Sequence, residues 1–388
     1  MEKKLIASKL QACLNASKND KNNEDFAHFF QVNDPAKYEP TIGSLLESLH
    51  SQDELQIFNG KMQVIAGSAT RMEIRDLAVW LFRRGKEVGS VQAVSDLIQY
   101  IESDKIPFRL TYGLRGLKVK HRCELGSGIS LLSWTDIPES YHKPTIFDNL
   151  FSLGRLPRAA LVQERLLPKV HVSQNEYKLT PIDHVAINDA VLCVAASGPF
   201  SPEVIVTWLD PPQWAPTIGV GYSLPHPAEH VRDAVWTTEH CQIVTKLFSD
   251  FESLTEDKKD ALRLPMQRLA MAIRRSSKVD SAINLGIALE SLFLSDLSDD
   301  RGELTFRLKL RVAKYIEKEI TKREEVFRLI GDLYKLRSIA IHTGRVPPDA
   351  LKSKDISETL NNGYSLVADA IRRFVKSGIP DWMDVQLR

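Results

Sequence analysis

The alternation of apolar and polar positions divides the chain into two halves of different character. Up to about residue 225 short β-like runs are mixed with helical stretches, and beyond it helical periodicity is nearly continuous. Residues 1 to 16 alternate at helical spacing, and the polar stretch Asn15 to Asn23 then reads as a loop. Asn59-Gly60, between Leu55-Gln-Ile-Phe58 and Lys61-Met-Gln-Val-Ile65, predicts a tight hairpin, because a two-residue turn needs positive φ. Thr70-Arg-Met-Glu73 has capping-box spacing, and Ile74, Leu77, Ala78, Leu81 and Phe82 line one helical face after it. A further helix is expected over 91–103.

From Phe108 to Trp134 the runs 109–114, 117–121 and 129–134, separated by glycines, predict a meander of strands. More strands are expected at 168–173, 189–196 and 203–208, and the prolines of 210–216 break regular structure. After His226-Pro-Ala-Glu-His230 the periodicity predicts helices at 228–252, 256–276, 278–296, 303–320, 322–343 and 355–377, with Pro265 expected to kink or delay the second. The fold class expected is α+β: a mixed α/β sensor or regulatory domain over 1–225 and an all-α bundle over 226–388.

Composition narrows the class without naming a chemistry. The chain has 388 residues, 43% hydrophobic and 26% charged, with a net charge of +1. Those values fit a globular protein and give no whole-chain attraction for nucleic acid, so such binding must come from local patches. No segment reaches the ~18 consecutive apolar residues of a membrane span. Cys13, Cys123, Cys193 and Cys241 are far apart in sequence and make no Cys-x-x-Cys pair. Reduced thiols and a cytoplasmic location are therefore the expectation, with no metal and no cofactor.

Two helices of the second half carry the candidate chemistry. In Val279 to Leu294 apolar residues occur nearly all round, so Glu290 needs a cationic partner or an opening to solvent, with Arg307, Arg311 or Arg337 as the natural partners. The other helix ends on Leu333-Tyr-Lys-Leu-Arg337-Ser-Ile-Ala-Ile-His342-Thr-Gly344. A fixed cation and a side chain that exchanges protons near neutrality suit work on phosphate, although both residue types also complement the dipole at a helix C-terminus. At about 100° per residue, Arg337 and His342 lie about 140° apart around the axis, while Ser338 and His342 share a face. One copy makes an awkward site, and two facing copies supply the missing geometry.

The blocks Ala288-Leu-Glu-Ser-Leu-Phe293, Phe306-Arg-Leu-Lys-Leu-Arg-Val-Ala-Lys-Tyr315 and Leu333 to Gly344 resemble the Apea-like HEPN domain family over the C-terminal third. The resemblance implies a small helical bundle, many members being metal-independent endoribonucleases of toxin and antiphage systems. Its motif is Arg, four to six residues, then His, which Arg337 and His342 match; many active members carry Asn, Asp or His where Ser338 stands. It further implies RNA as substrate, 2′,3′-cyclic phosphate ends, a homodimer with a composite site, and an antitoxin or trigger-sensing partner. In this reading Arg337 and His342 are catalytic, Ser338 and Glu290 support them, and Arg307, Arg311 and Lys314 hold RNA. The alternative is an inactive bundle for dimerisation or for sensing nucleotide or RNA.

Other features carry less. The run Arg109, Arg115, Lys118, Lys120, His121 and Arg122, with Tyr112, fits the outward face of strands as well as a nucleic-acid surface. His226, His230, His240 and Cys241 fit no common zinc module. Gly126-Ser-Gly128 and Gly219-Val-Gly221 read as turns.

Overall fold

The computed structural model describes residues 1–19, 40–65, 68–139, 142–152, 156–173, 182–198, 202–216, 222–224, 234–274, 277–297, 303–352 and 354–387. The fold is α+β: the strands belong to the N-terminal part and the C-terminal region is all helical. Helices α1 (Lys3–Asn19), α2 (Pro40–His50), α3 (Ile74–Val88) and α4 (Ser90–Glu102) pack at the N-terminal end. Three short strands, β1 (Lys61–Ile65), β2 (Ser68–Arg71) and β8 (Val170–Ser173), form an antiparallel sheet in the order β2-β1-β8.

The larger sheet contains β3 (Lys105–Arg115), β5 (Cys123–Gly126), β6 (Ile129–Ser133), β7 (Ala159–Pro168), β9 (Glu203–Asp210) and β10 (Tyr222–Ser223). Its order is β10-β9-β3-β7-β6-β5, with every pair antiparallel. The expected meander is corrected: β3 lies between β7 and β9, and β4 (Leu117–Val119) leaves the sheet to pair in parallel with β11 (Ala234–Trp236). Among the four described strands from β3 to β6, β5 and β6 alone pair with each other, around the Gly126–Gly128 turn.

Three local expectations also change. Asp53–Phe58 is a 3₁₀ helix that buries Leu55 and Phe58, whose separation of three matches its period. Asn59 has φ −83°, so the two positive-φ residues of a tight hairpin are not present, and β1 pairs with β2 and β8 instead. The capping box of α3 is formed by Glu73 with Asp76, one turn beyond the expected one. The expected strand at 189–196 is part of helix α6 (Val185–Ala196), which follows α5 (His142–Ser152). Its apolar run is buried from Ala190 to Ala196 except at Val191, and such a run alone does not separate a buried strand from a buried helix.

The C-terminal helices are α7 (Thr238–Glu252), α8 (Glu256–Arg274), α9 (Lys278–Phe293), α10 (Leu304–Ile316), α11 (Ile320–Thr343), α12 (Ile356–Ser377) and α13 (Trp382–Leu387). Pro265 lies inside α8, which runs on to Arg274. The expected domain boundary near 225 falls outside the described residues. Helix α6 packs against α7, α8 and α12, and its buried Asp189 takes both arms of the Arg263 guanidinium at 2.9 and 2.8 Å. Hydrophobic burial is continuous from Ile6 to Trp382, beside a smaller cluster around Leu132, Trp134, Val206 and Trp208.

The thiol expectation is also corrected. Cys123 of β5 and Cys241 of α7 form a disulfide, while Cys13 and Cys193 are free and buried. The thiol argument for a cytoplasmic location therefore does not hold. Among the described residues no helix is long and apolar enough to cross a membrane.

Candidate functional site

Helix α11 buries Ile330, Leu333, Leu336 and Ala340, a stripe at spacings of three and four that holds it on the bundle. It stops at Gly344, whose φ of +67° is left-handed and whose N–H donates to the Ala340 carbonyl at 3.0 Å. Arg337 stands between Leu336 and Ala340 of this stripe, and His342 lies in the last turn.

Arg337 crosses α9 at Gly286. A Cβ there would lie 2.5 Å from Arg337 Cδ, so the missing side chain is what lets the two pass. Four residues on, Glu290 stands on the same face of α9, and Arg337 donates to its Oε2 at 3.0 Å. Tyr334 donates to Oε1 of the same carboxylate at 3.0 Å, and the Arg337 guanidinium lies 5.1 Å from the Tyr334 ring centre. Burial and the Glu290 carboxylate push the Tyr334 hydroxyl above the usual phenol range. Of the three arginines expected as partners of Glu290, Arg337 is the one it meets. The guanidinium is thus held by a ring, a carboxylate and a glycine slot, with side-chain exposures of 22% for Arg337 and 28% for Glu290.

His342 is exposed and Ser338 half-buried, and no hydrogen bond joins them among the described residues. Arg337 and His342 are five positions apart, a rise of about 7.5 Å along the axis. Within one chain the two groups therefore face different directions.

The other expected RNA contacts are engaged within the fold. Arg311 is buried, bonded to Asp296 at 2.6 and 2.9 Å and to the Phe293 carbonyl at 2.7 Å, with Trp382 5.0 Å away. Lys314 donates to the Gln386 carbonyl at 2.6 Å, so these two residues fasten the C-terminal end of the chain to α10. Arg307 is half-buried. In the N-terminal basic run, Arg115 pairs with buried Glu203 at 2.6 Å, Arg109 donates to the Pro138 carbonyl, and Arg122 pairs with Glu124. His226, His230, Gly219 and Gly221 lie outside the described residues.

Sequence reasoning missed Tyr334, three residues before Arg337 and so on the same side of α11. It also missed a cluster in the N-terminal part: Tyr112, buried on β3, meets His184 Nδ1 at 2.7 Å and Asn188 Oδ1 at 3.1 Å. Burial raises the Tyr112 hydroxyl to about 12 and lowers His184, with Arg165 adding to the second effect. Nothing in the sequence brings residues so far apart together. Among the described residues no three His, Cys, Asp or Glu side chains gather as a metal site would require. Compared with family models, curated proteins and solved structures, the chain matches none.

Proposed function

We propose that the protein is a HEPN-type endoribonuclease that cleaves RNA through attack of a 2′-OH, with Arg337 and His342 as its catalytic pair. The observation that carries this reading is the held guanidinium. Arg337 is fixed by Glu290, Tyr334 and Gly286 at half-burial, and His342 stands exposed one and a half turns away at the helix end. The His342 imidazole draws the proton from the 2′-OH, and the Arg337 guanidinium takes up charge growing on the phosphate. The attacking oxygen forms a bond to phosphorus, the bond to the 5′ oxygen breaks, and a 2′,3′-cyclic phosphate and a 5′-OH remain. Because the two groups face apart within one chain, the reading requires two copies related by a two-fold axis, each supplying an Arg and a His to one cleft.

The test is incubation of the purified full chain with mixed RNAs, followed by end-group analysis. Cleavage leaving cyclic-phosphate ends is expected, falling by about a hundredfold or more in His342→Ala, on the scale of a lost general base. Intact RNA with the wild type, or full activity in His342→Ala or Arg337→Ala, refutes the assignment.

A further inference from the structure

A groove of about 630 Å³ lies between α7, α12 and the end of α6. Its size is within the usual range for small-ligand sites. Ile243 and Leu247 of α7 and Ala368 of α12 give it an apolar floor, closed at one end by buried Ser197 and Gly198. The two walls differ in charge. On α7, Lys246 is paired with Asp250 at 3.3 Å and Glu239 also lines the groove, so that wall carries no net positive charge. On α12, Arg372 and Lys376 line the groove one turn apart.

Arg372 is held from behind. One nitrogen donates to the Ala196 carbonyl, the last of α6, at 3.1 Å, and the other terminal nitrogen reaches Asp369 at 3.4 Å. A guanidinium has five N–H groups, so an arginine anchored in this way keeps donors for a ligand and loses little freedom on binding. Lys376 is exposed and pairs with no carboxylate among the described residues. A fixed fork and a free ammonium at one end of an apolar slot recognise a doubly charged phosphate or similar anion carried on a flat body.

We propose that this groove binds a small organic phosphate, with a planar ring on the Ile243, Leu247 and Ala368 floor and the phosphate between Arg372 and Lys376. The bound molecule touches α6 of the N-terminal part and α7 and α12 of the bundle at once, so its binding strengthens the junction between them. This proposal is independent of the ribonuclease reading, because its readout is heat and melting temperature, not cleavage.

Isothermal titration of the full chain with adenosine monophosphate, adenosine and inorganic phosphate tests it, using wild type, His342→Ala, Lys376→Glu, Ser365→Trp and a distant control, Lys4→Glu. Ser365 lies on the exposed rim of the groove, where a tryptophan fills it without entering the core. Adenosine monophosphate is expected to bind more tightly than either half alone and to raise the melting temperature. Lys376→Glu should weaken it about tenfold or more, the scale of one lost charge-assisted contact, and Ser365→Trp should abolish it. His342→Ala and Lys4→Glu should bind as wild type does. The proposal is overturned if none of the three probes binds, if phosphate alone binds as tightly as the nucleotide, or if Lys376→Glu lowers stability without lowering affinity. In that last case Lys376 only complements the helix dipole.

Discussion

At the scale of single residues, the arrangement around Arg337 depends on an atom that is missing. Glycine inside a helix is about 1 kcal/mol worse than alanine, so Gly286 within α9 needs a reason, and the passage of Arg337 supplies it. Gly286→Ala would gain that propensity and place a methyl group against Arg337 Cδ, Cγ and Nε, all within 3.0 Å. The side chain is flexible and can swing away, but only by leaving Glu290 and the Tyr334 ring. The expected outcome is a melting temperature within a few degrees of wild type, with RNA cleavage reduced at least tenfold if the proposed chemistry holds, about 1.4 kcal/mol of positioning. Thermal melts and cleavage rates on the same preparation check it. Retained activity would mean that the position of Arg337 is unimportant.

Among elements, β8 is attached to α4 by a buried polar relay. Gln63 donates to the Tyr100 hydroxyl, which is hydrogen-bonded to His171 Nε2 at 2.8 Å, and Phe58 meets the His171 ring edge-on at 5.2 Å. Lys169 donates to the carbonyls of Tyr100 and Ile101, both at 2.6 Å, closing the C-terminal end of α4. Burial first, then the charges of Lys169 and Lys61, lower His171 to about 4 from an ordinary value of 6.5. Because the folded value lies below the unfolded one, the unfolded chain binds the extra proton between the two. Stability from the neutral imidazole is therefore intact above about pH 6.5 and is lost as pH falls towards 4. From about pH 7 to about pH 4.5 the loss attributable to this residue is about 2 kcal/mol. His171→Gln, which keeps an acceptor for Tyr100, should flatten that part of the pH profile in denaturant unfolding. An unchanged slope would show that the relay does not titrate with folding.

The same scale shows what could be read from the chain. The C-terminal helices stand out because most of them bury one face at spacings of three and four while α9 is covered nearly all round, and α11 and α12 end on Gly344 and Gly378 with positive φ. Arg337, His342 and the need of Glu290 for a cation follow from the same periodicity. Other features depend on partners distant in sequence. Ala159–Pro168 becomes the strand between β3 and β6 only because both flank it, and the 190–196 run becomes helical in a space walled by α7, α8 and α12. Arg311 looked like a surface cation because the pattern of α10 does not reveal Asp296 and Trp382 waiting beneath it.

For the molecule as a whole, the Cys123–Cys241 disulfide decides how firmly the larger sheet is tied to the bundle. Four cysteines allow three complete pairings, and sequence cannot choose among these or free thiols, which is why this link was not legible. It joins the edge strand β5 to the first turn of α7, beside a hydrogen bond from Thr245 to the Glu124 carbonyl at 2.9 Å. A cross-link spanning 118 residues removes much freedom from the unfolded chain, about 4 to 5 kcal/mol in the chain-entropy estimate and often less when measured. Cys241→Ser should therefore melt several degrees lower than the oxidised wild type. Dithiothreitol should bring the wild type down to the variant and leave the variant unmoved. Cys13 and Cys193 do not confuse this comparison, since both remain buried thiols in either protein. If the reductant shifts both proteins alike, the effect lies elsewhere. If it shifts neither, the two sulfurs are not joined in the folded protein, and the sheet is held to α7 by packing and the Thr245 contact alone.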